Sequence, residues 1–257
     1  MLQKLTVGLL CFFCFLTESL AGNWNKDKTV LGSELFSLTH GEQDVKNGFK
    51  VIADPTGEAP SATVEQFVLR DGDCRGLDCT TDRERVELIE RRTGADDGAI
   101  DGSSFWYGWS LYLPDDFDDL WPTRTRLGQF KEAPSSGGGK PVFMFAVKRG
   151  GLYIEDGTGP GLKIFELSDL LGKWTKFEVF IKWSKRSGAV AIYINDEPVF
   201  NVSGRPSLIE AERGRMQYGI YRAGISNYKS AHKTNTLPTQ SVYYSNVKIG
   251  ATRESIN

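Results

Sequence analysis

Between Phe105 and Leu113 every odd position carries a large apolar side chain, and Pro114-Asp115-Asp116 closes the run. A period of two is that of an extended strand, whose side chains point alternately to opposite faces, so this stretch is predicted to be a core strand. The pattern recurs in Lys173–Trp183, where Phe177, Val179, Ile181 and Trp183 are apolar and Lys176, Glu178 and Lys182 fall between them. Ser184–Gly188 then turns the chain, Ala189–Ile194 returns as a second strand, and Asn195-Asp196 opens the next turn, as in the hairpins of a β-sandwich. Val242–Ile249 predicts a terminal strand, and Ser207–Glu212 is the best helix candidate, with Ser207 as its cap. Two segments read as irregular: Ala133–Pro141, rich in glycine, and Ala223–Ser241, which holds His232. They follow Lys131 and Tyr221, so both are expected to overhang a groove containing those residues.

The first residues have the pattern of an export signal. Lys4 precedes an apolar run from Leu5 to Leu16, and Ser19-Leu20-Ala21 offers a small-residue cleavage site before Gly22. The run is shorter than the roughly 18 residues that suggest a spanning helix, and no later segment spans a bilayer. Residues 1–21 are therefore expected to be removed, leaving 22–257 as a single secreted or periplasmic all-β domain of about 235 residues. Cleavage discards Cys11 and Cys14 and leaves Cys74 and Cys79, which are expected to form a disulfide in an oxidising compartment. A loop so short restrains the unfolded chain little, so the bond serves mainly to pin the turn leading into Arg83 and Arg85.

The chain's net charge of −2 survives removal of Lys4 and Glu18 together, and it gives no footprint for nucleic acid or a membrane surface. A monomer is expected. His40 and His232 are distant in sequence from the cysteine pair, so no metal site and no cofactor are assigned. Asp71 and Asp73 have the oxygen chemistry of a calcium site, although two carboxylates in a glycine-containing turn are usually a solvated turn. Asn201-Val202-Ser203 is an acceptor sequon wherever exported proteins are glycosylated.

Three strand-like runs carry polar side chains where a core strand would not. They are Asp82–Leu88, Gln129-Phe130-Lys131 and Gln217–Arg222. Alternation puts Arg83, Arg85 and Glu87 on one face, Gln129 with Lys131 on another, and Gln217 with Tyr221 on a third. Arginine and glutamate alternating on a strand ordinarily form a solvated salt-bridge ladder. A tyrosine sharing a face with glutamine, beside an arginine, favours a groove for an acidic polymer, and uronate sugars fit it. A retaining glycosidase needs two carboxylates about 5–5.5 Å apart, and the Glu-x-Asp-x-x-Glu spacing that supplies them is absent. A non-catalytic, lectin-like sandwich module is the rival reading.

The runs resemble those of a known family. Arg85-Val86-Glu87-Leu88 is similar to the Arg-(Ser/Thr)-Glu-Leu strand of alginate lyases, Gln129-Phe130-Lys131 to their Gln-x-His strand, and Gln217–Tyr221 to their Lys-x-Gly-x-Tyr strand. Trp106–Tyr112 and Val242-Tyr243-Tyr244 resemble scaffold strands of the same group. From Val64 to Gly250 the chain thus resembles the heparin lyase I-like polysaccharide lyases and the wider jelly-roll lyases that include alginate and glucuronan lyases. The resemblance implies a β-jelly-roll whose concave sheet binds an acidic polysaccharide (glucuronan, alginate or heparin-like) and cleaves it by β-elimination. It implies Arg85 and Gln129 on the uronate carboxylate and Tyr221 moving protons at the scissile linkage. Lys131 stands where the pattern has histidine, and Gln217 where it has lysine.

A tyrosine hydroxyl ordinarily titrates near 10, so a tyrosine base requires nearby cations, and Arg83, Arg85, Lys131 and Arg222 are available. Tyr221 is read as acid and base, with Lys131 as electrostatic support, or as the base itself if burial lowers its pKa. Arg83, Glu87, Gln217 and Arg222 complete the substrate-binding set, with Glu87 orienting the arginines.

Overall fold

The computed structural model describes residues 36–39, 48–91, 99–134, 139–157 and 159–257. The signal segment, His40 and Ser135–Gly138 of the glycine-rich run lie outside the described residues. Along the chain the strands are β1 (Phe36–Leu38), β2 (Phe49–Ala53), β3 (Thr63–Leu69), β4 (Arg83–Glu90), β5 (Ala99–Ile100), β6 (Ser104–Tyr112), β7 (Arg124–Glu132) and β8 (Pro141–Lys148). They continue with β9 (Gly151–Glu155), β10 (Leu162–Glu166), β11 (Trp174–Lys182), β12 (Gly188–Ile194), β13 (Glu197–Arg205), β14 (Arg213–Ala223) and β15 (Gln240–Gly250). Among the described residues the α-helices are the short α1 (Leu77–Thr80) and α2 (Ile225–His232). None of the described helices is long and apolar enough to cross a membrane.

The strands form two antiparallel sheets of a jelly-roll sandwich. The first has the order β1-β4-β14-β7-β8-β9-β10, with β5 added against β14, and the second has β13-β12-β11-β6-β15-β3-β2. The odd positions of β6 and β11 pack inward, as their periodicity predicts. Trp109 stacks on Phe177 at 5.3 Å, while Tyr107 meets Phe130 of the first sheet edge-on at 5.0 Å. Burying these faces supplies the main drive for the two sheets to stack. The hairpin between β11 and β12 is present, and Asn195 and Asp196 turn the chain into β13 with positive φ at both positions.

The helix expected over Ser207–Glu212 is not formed. The amides of Ile209, Glu210 and Ala211 converge instead on one carboxylate oxygen of Glu132, which holds that carboxyl below its ordinary pKa against the opposing effect of burial. The Ser207 hydroxyl donates to the carbonyl of Lys182 and accepts the amide of Ser184, so it caps nothing. A helix does occur in the segment read as irregular, at α2. Its first turn is tethered through Ser226, whose amide and hydroxyl both bond the carboxylate of Asp82.

Candidate active site

The polar face of the first sheet is built on the adjacent strands β4, β14 and β7. Pairing sets Tyr221 opposite Arg85 on one side and opposite Arg126 on the other, with Gln217 opposite Gln129 and Arg215 opposite Lys131. The Arg85 guanidinium lies over the Tyr221 ring at 4.4 Å and that of Arg126 at 5.1 Å, so the ring sits between two cations. Tyr221 itself is only 7% exposed. Glu87 is fully buried beneath this face, where Gln129 donates to one of its oxygens at 2.6 Å and Arg85 to the other at 3.3 Å. That carboxylate orients its neighbours and is shielded from any substrate.

Arg85 is strongly constrained. Its Nε and Nη2 both donate to the carboxylate of Asp78, the latter at 2.7 Å, while Nη1 faces Glu87. Burial disfavours the cation, but Glu87 and Asp78 outweigh it and hold the group above its ordinary pKa. Asp78 belongs to α1, the short turn closed by the Cys74–Cys79 disulfide. The bond thus pins the turn leading into β4, and it also sets the carboxylate that grips Arg85.

Lys131 is half-buried, and burial pushes its ammonium down to about 8, with Arg215, Arg85 and Arg83 adding to the shift and Glu87 opposing it. A lysine poised there can hold an anion or, once deprotonated, accept a proton. Arg83 lies exposed at the start of β4. Gln217 is 2% exposed, and among the described residues its Oε1 has no hydrogen-bond partner.

Arg222 does not belong to this set. Lying next to Tyr221, it points to the opposite side of β14, is fully buried, pairs with Glu84 at 2.6 Å and donates to the carbonyl of Pro238. Strand alternation requires this, because Tyr221 and Arg222 cannot share a face. Of the two carboxylates weighed as a calcium site, Asp71 pairs with Lys229 at 2.8 Å and Asp73 accepts the Arg70 amide. Among the described residues no cluster of histidine, cysteine or acidic side chains is placed to hold a metal.

Arg126 is the site residue that alternation concealed. Counting by twos from Lys131 and Gln129 puts Leu127 and Thr125 on the polar face and Arg126 in the core. The register of β7 steps between Gly128 and Arg126 against β8, leaving Leu127 as the extra residue of a bulge. Leu127 joins the apolar core and Arg126 emerges beside Tyr221. A matching step in β14 lies between Tyr218 and Tyr221, where Gly219 has φ 130° and a Cβ would come within 2.4 Å of the Val86 carbonyl. The hydroxyl of Tyr244, from the second sheet, reaches the carbonyls of both Leu127 and Gly219. One buried tyrosine therefore fixes both irregularities.

A polysaccharide lyase family profile matches residues 25–248. The chain belongs to that family. Among curated protein sequences none matches this lyase. Its fold resembles that of an endo-β-1,4-glucuronan lyase from the fungus Trichoderma reesei, with 18% identity, coverage of 82% of this chain and 90% of that one, and a TM-score of 0.59. An alginate lyase from Corynebacterium sp. has 16% identity, coverage of 80% and 82%, and a TM-score of 0.54. A family 7 alginate lyase in complex with substrate has 12% identity, coverage of 79% and 82%, and a TM-score of 0.53. The lyase is thus an enzyme on a jelly-roll scaffold, as the sequence resemblance implied.

Proposed function

We propose that this lyase is exported after removal of residues 1–21 and cleaves a uronic-acid-containing polysaccharide by β-elimination, leaving unsaturated uronate ends. The observation that carries the reading is the Tyr221 ring held between the Arg85 and Arg126 guanidinium groups on the open face of the first sheet. In the reaction the C5–H and C4–O bonds break and a C4=C5 double bond forms. A base takes the C5 proton, and an acid returns a proton to the leaving oxygen. Negative charge grows on the uronate carboxylate on the way, so cations fixed beside the proton-transferring group favour the transition state over the ground state. Tyr221 serves as the acid and, where C5–H and leaving oxygen lie on one side of the sugar, as the base too.

A second reading makes Lys131 the base, and its ammonium pushed down to about 8 by burial favours it. Glucuronan and alginate, the substrates named for the structural neighbours, fit a face with cations set for isolated carboxylates. The near-neutral net charge of −2 makes a heavily sulfated, heparin-like chain a poorer match. The test is ultraviolet absorbance of the conjugated uronate product over a panel of acidic polysaccharides. Appearance of that product on glucuronan or alginate is the expected result. Binding without product on every uronan tried would replace this reading with a lectin-like one.

A further inference from the structure

We propose that Arg126 is the receptor for the uronate carboxylate and that Arg85 is an immobilised electrostatic support beneath Tyr221; the assignment rests on the uronan reading above. The two guanidinium groups flank the same ring, yet their surroundings differ in kind. Arg85 has its Nε, Nη1 and Nη2 committed to Asp78 and Glu87, so two carboxylates already face it and a third would be repelled. Arg126 has a buried Nε and a buried Nη1, and among the described residues neither has a hydrogen-bond partner.

Leaving guanidinium donors unsatisfied beneath a protein surface is costly, and such a group persists when it is completed by a ligand. Burial lowers the Arg126 pKa from its ordinary value, which records that unrelieved cost. The charged side chains acting on it are Glu155, Arg124 and the more weakly felt Glu87. Glu155, on β9, is held by Lys148 and lies 3.7 Å from Arg124, so its charge is already engaged. A planar carboxylate arriving above Tyr221 meets in Arg126 a guanidinium that, among the described residues, no carboxylate is shown to grip.

The measurement compares binding of a uronate trisaccharide and of its carboxyl-reduced, neutral counterpart by calorimetry, alongside turnover of uronan, in wild type, Arg126→Met, Arg126→Lys and Arg85→Gln. Arg126→Met should lose about 100-fold to 1,000-fold in kcat/KM, as expected when a donor to developing negative charge is removed. It should also lose the preference for the acidic over the neutral trisaccharide. Arg126→Lys should recover part of that preference, and Arg85→Gln should retain it while losing turnover. The melting temperature of Arg126→Met should equal or exceed that of wild type, because two buried guanidinium nitrogens without hydrogen-bond partners have been removed.

Retention of the acidic preference in Arg126→Met overturns the assignment. So does equal weakening of acidic and neutral ligands together with a lowered melting temperature, which marks a structural role. If wild type gives no unsaturated product but Arg126→Met still loses the acidic preference, the lyase reading of the site fails and the receptor assignment stands.

Discussion

Tyr244→Phe removes one oxygen from a fully buried ring and little else. The phenylalanine keeps the ring contacts that Tyr244 makes with Tyr218 at 5.1 Å and Phe67 at 5.4 Å. What is lost is the hydroxyl that reaches the carbonyls of both Leu127 and Gly219, the latter 2.8 Å away. Burial raises the hydroxyl's pKa well above the ordinary value, so it stays protonated and donates throughout the working pH range. Depriving a buried acceptor of its donor costs about 1–3 kcal/mol. For a domain of this size that corresponds to a fall in melting temperature of about 2–12 °C. Scanning calorimetry reads this term.

Turnover well below the transition reads a second term, because both carbonyls belong to the register steps that bring Arg126 and Tyr221 together. The expectation is a loss of kcat larger than the loss of stability explains, with the fold retained by circular dichroism. A variant with the wild-type transition temperature and full turnover would refute the reasoning, since the hydroxyl would then be holding nothing.

Tyr221→Phe should reduce turnover of uronan by about 100-fold to 10,000-fold, the usual range for a proton-transferring group, with oligouronate binding nearly intact; wild-type rates would remove Tyr221 from the chemistry. If Lys131 is the base, activity should rise with pH through about 8, because the neutral amine is the working form and it is gained as the proton leaves, and Lys131→Gln should abolish that limb of the profile. An unchanged pH profile in Lys131→Gln returns the base role to Tyr221. Arg222→Met should cost stability, about 3–5 kcal/mol in urea unfolding, because it leaves the Glu84 carboxylate buried without its cation. A loss of uronate affinity without a loss of stability would contradict its placement in the interior.

The strands were legible in the sequence because burial on one face forces a period of two, and β6, β11, β12 and β15 follow it over most of their length. The same rule grouped Gln129 with Lys131 and Gln217 with Tyr221, and the register of β14 against β4 and β7 sets these pairs beside Arg85 on one polar face. It also shows why Arg222 had to be wrong, since its neighbour Tyr221 already occupies that face. Arg126 was beyond the rule. A bulge changes the count without leaving a proline or a conspicuous glycine pair, and only Gly128 and Gly219 hint at it. Asp78 was hidden for another reason, because its partner Arg85 is reached through the disulfide-closed turn and not through any strand period. Ser207–Glu212 looked helical by its capping serine, but the competing acceptor, Glu132, is distant in sequence and invisible to a local reading.

Because Leu127 is a supernumerary residue of β7, the composition of the site depends on the bulge that absorbs it as much as on residue identity. Straightening β7 at unchanged length would restore simple alternation from Gln129 onward toward the start of the strand. Arg126 and Arg124 then exchange sides with their neighbours, and two guanidinium groups are directed at the apolar interior. A substitution at any one of these positions perturbs a single contact, whereas loss of the bulge inverts the whole half-strand. A relative of equal length that lacked the bulge would therefore present a different set of side chains to substrate, even where the flanking residues are identical.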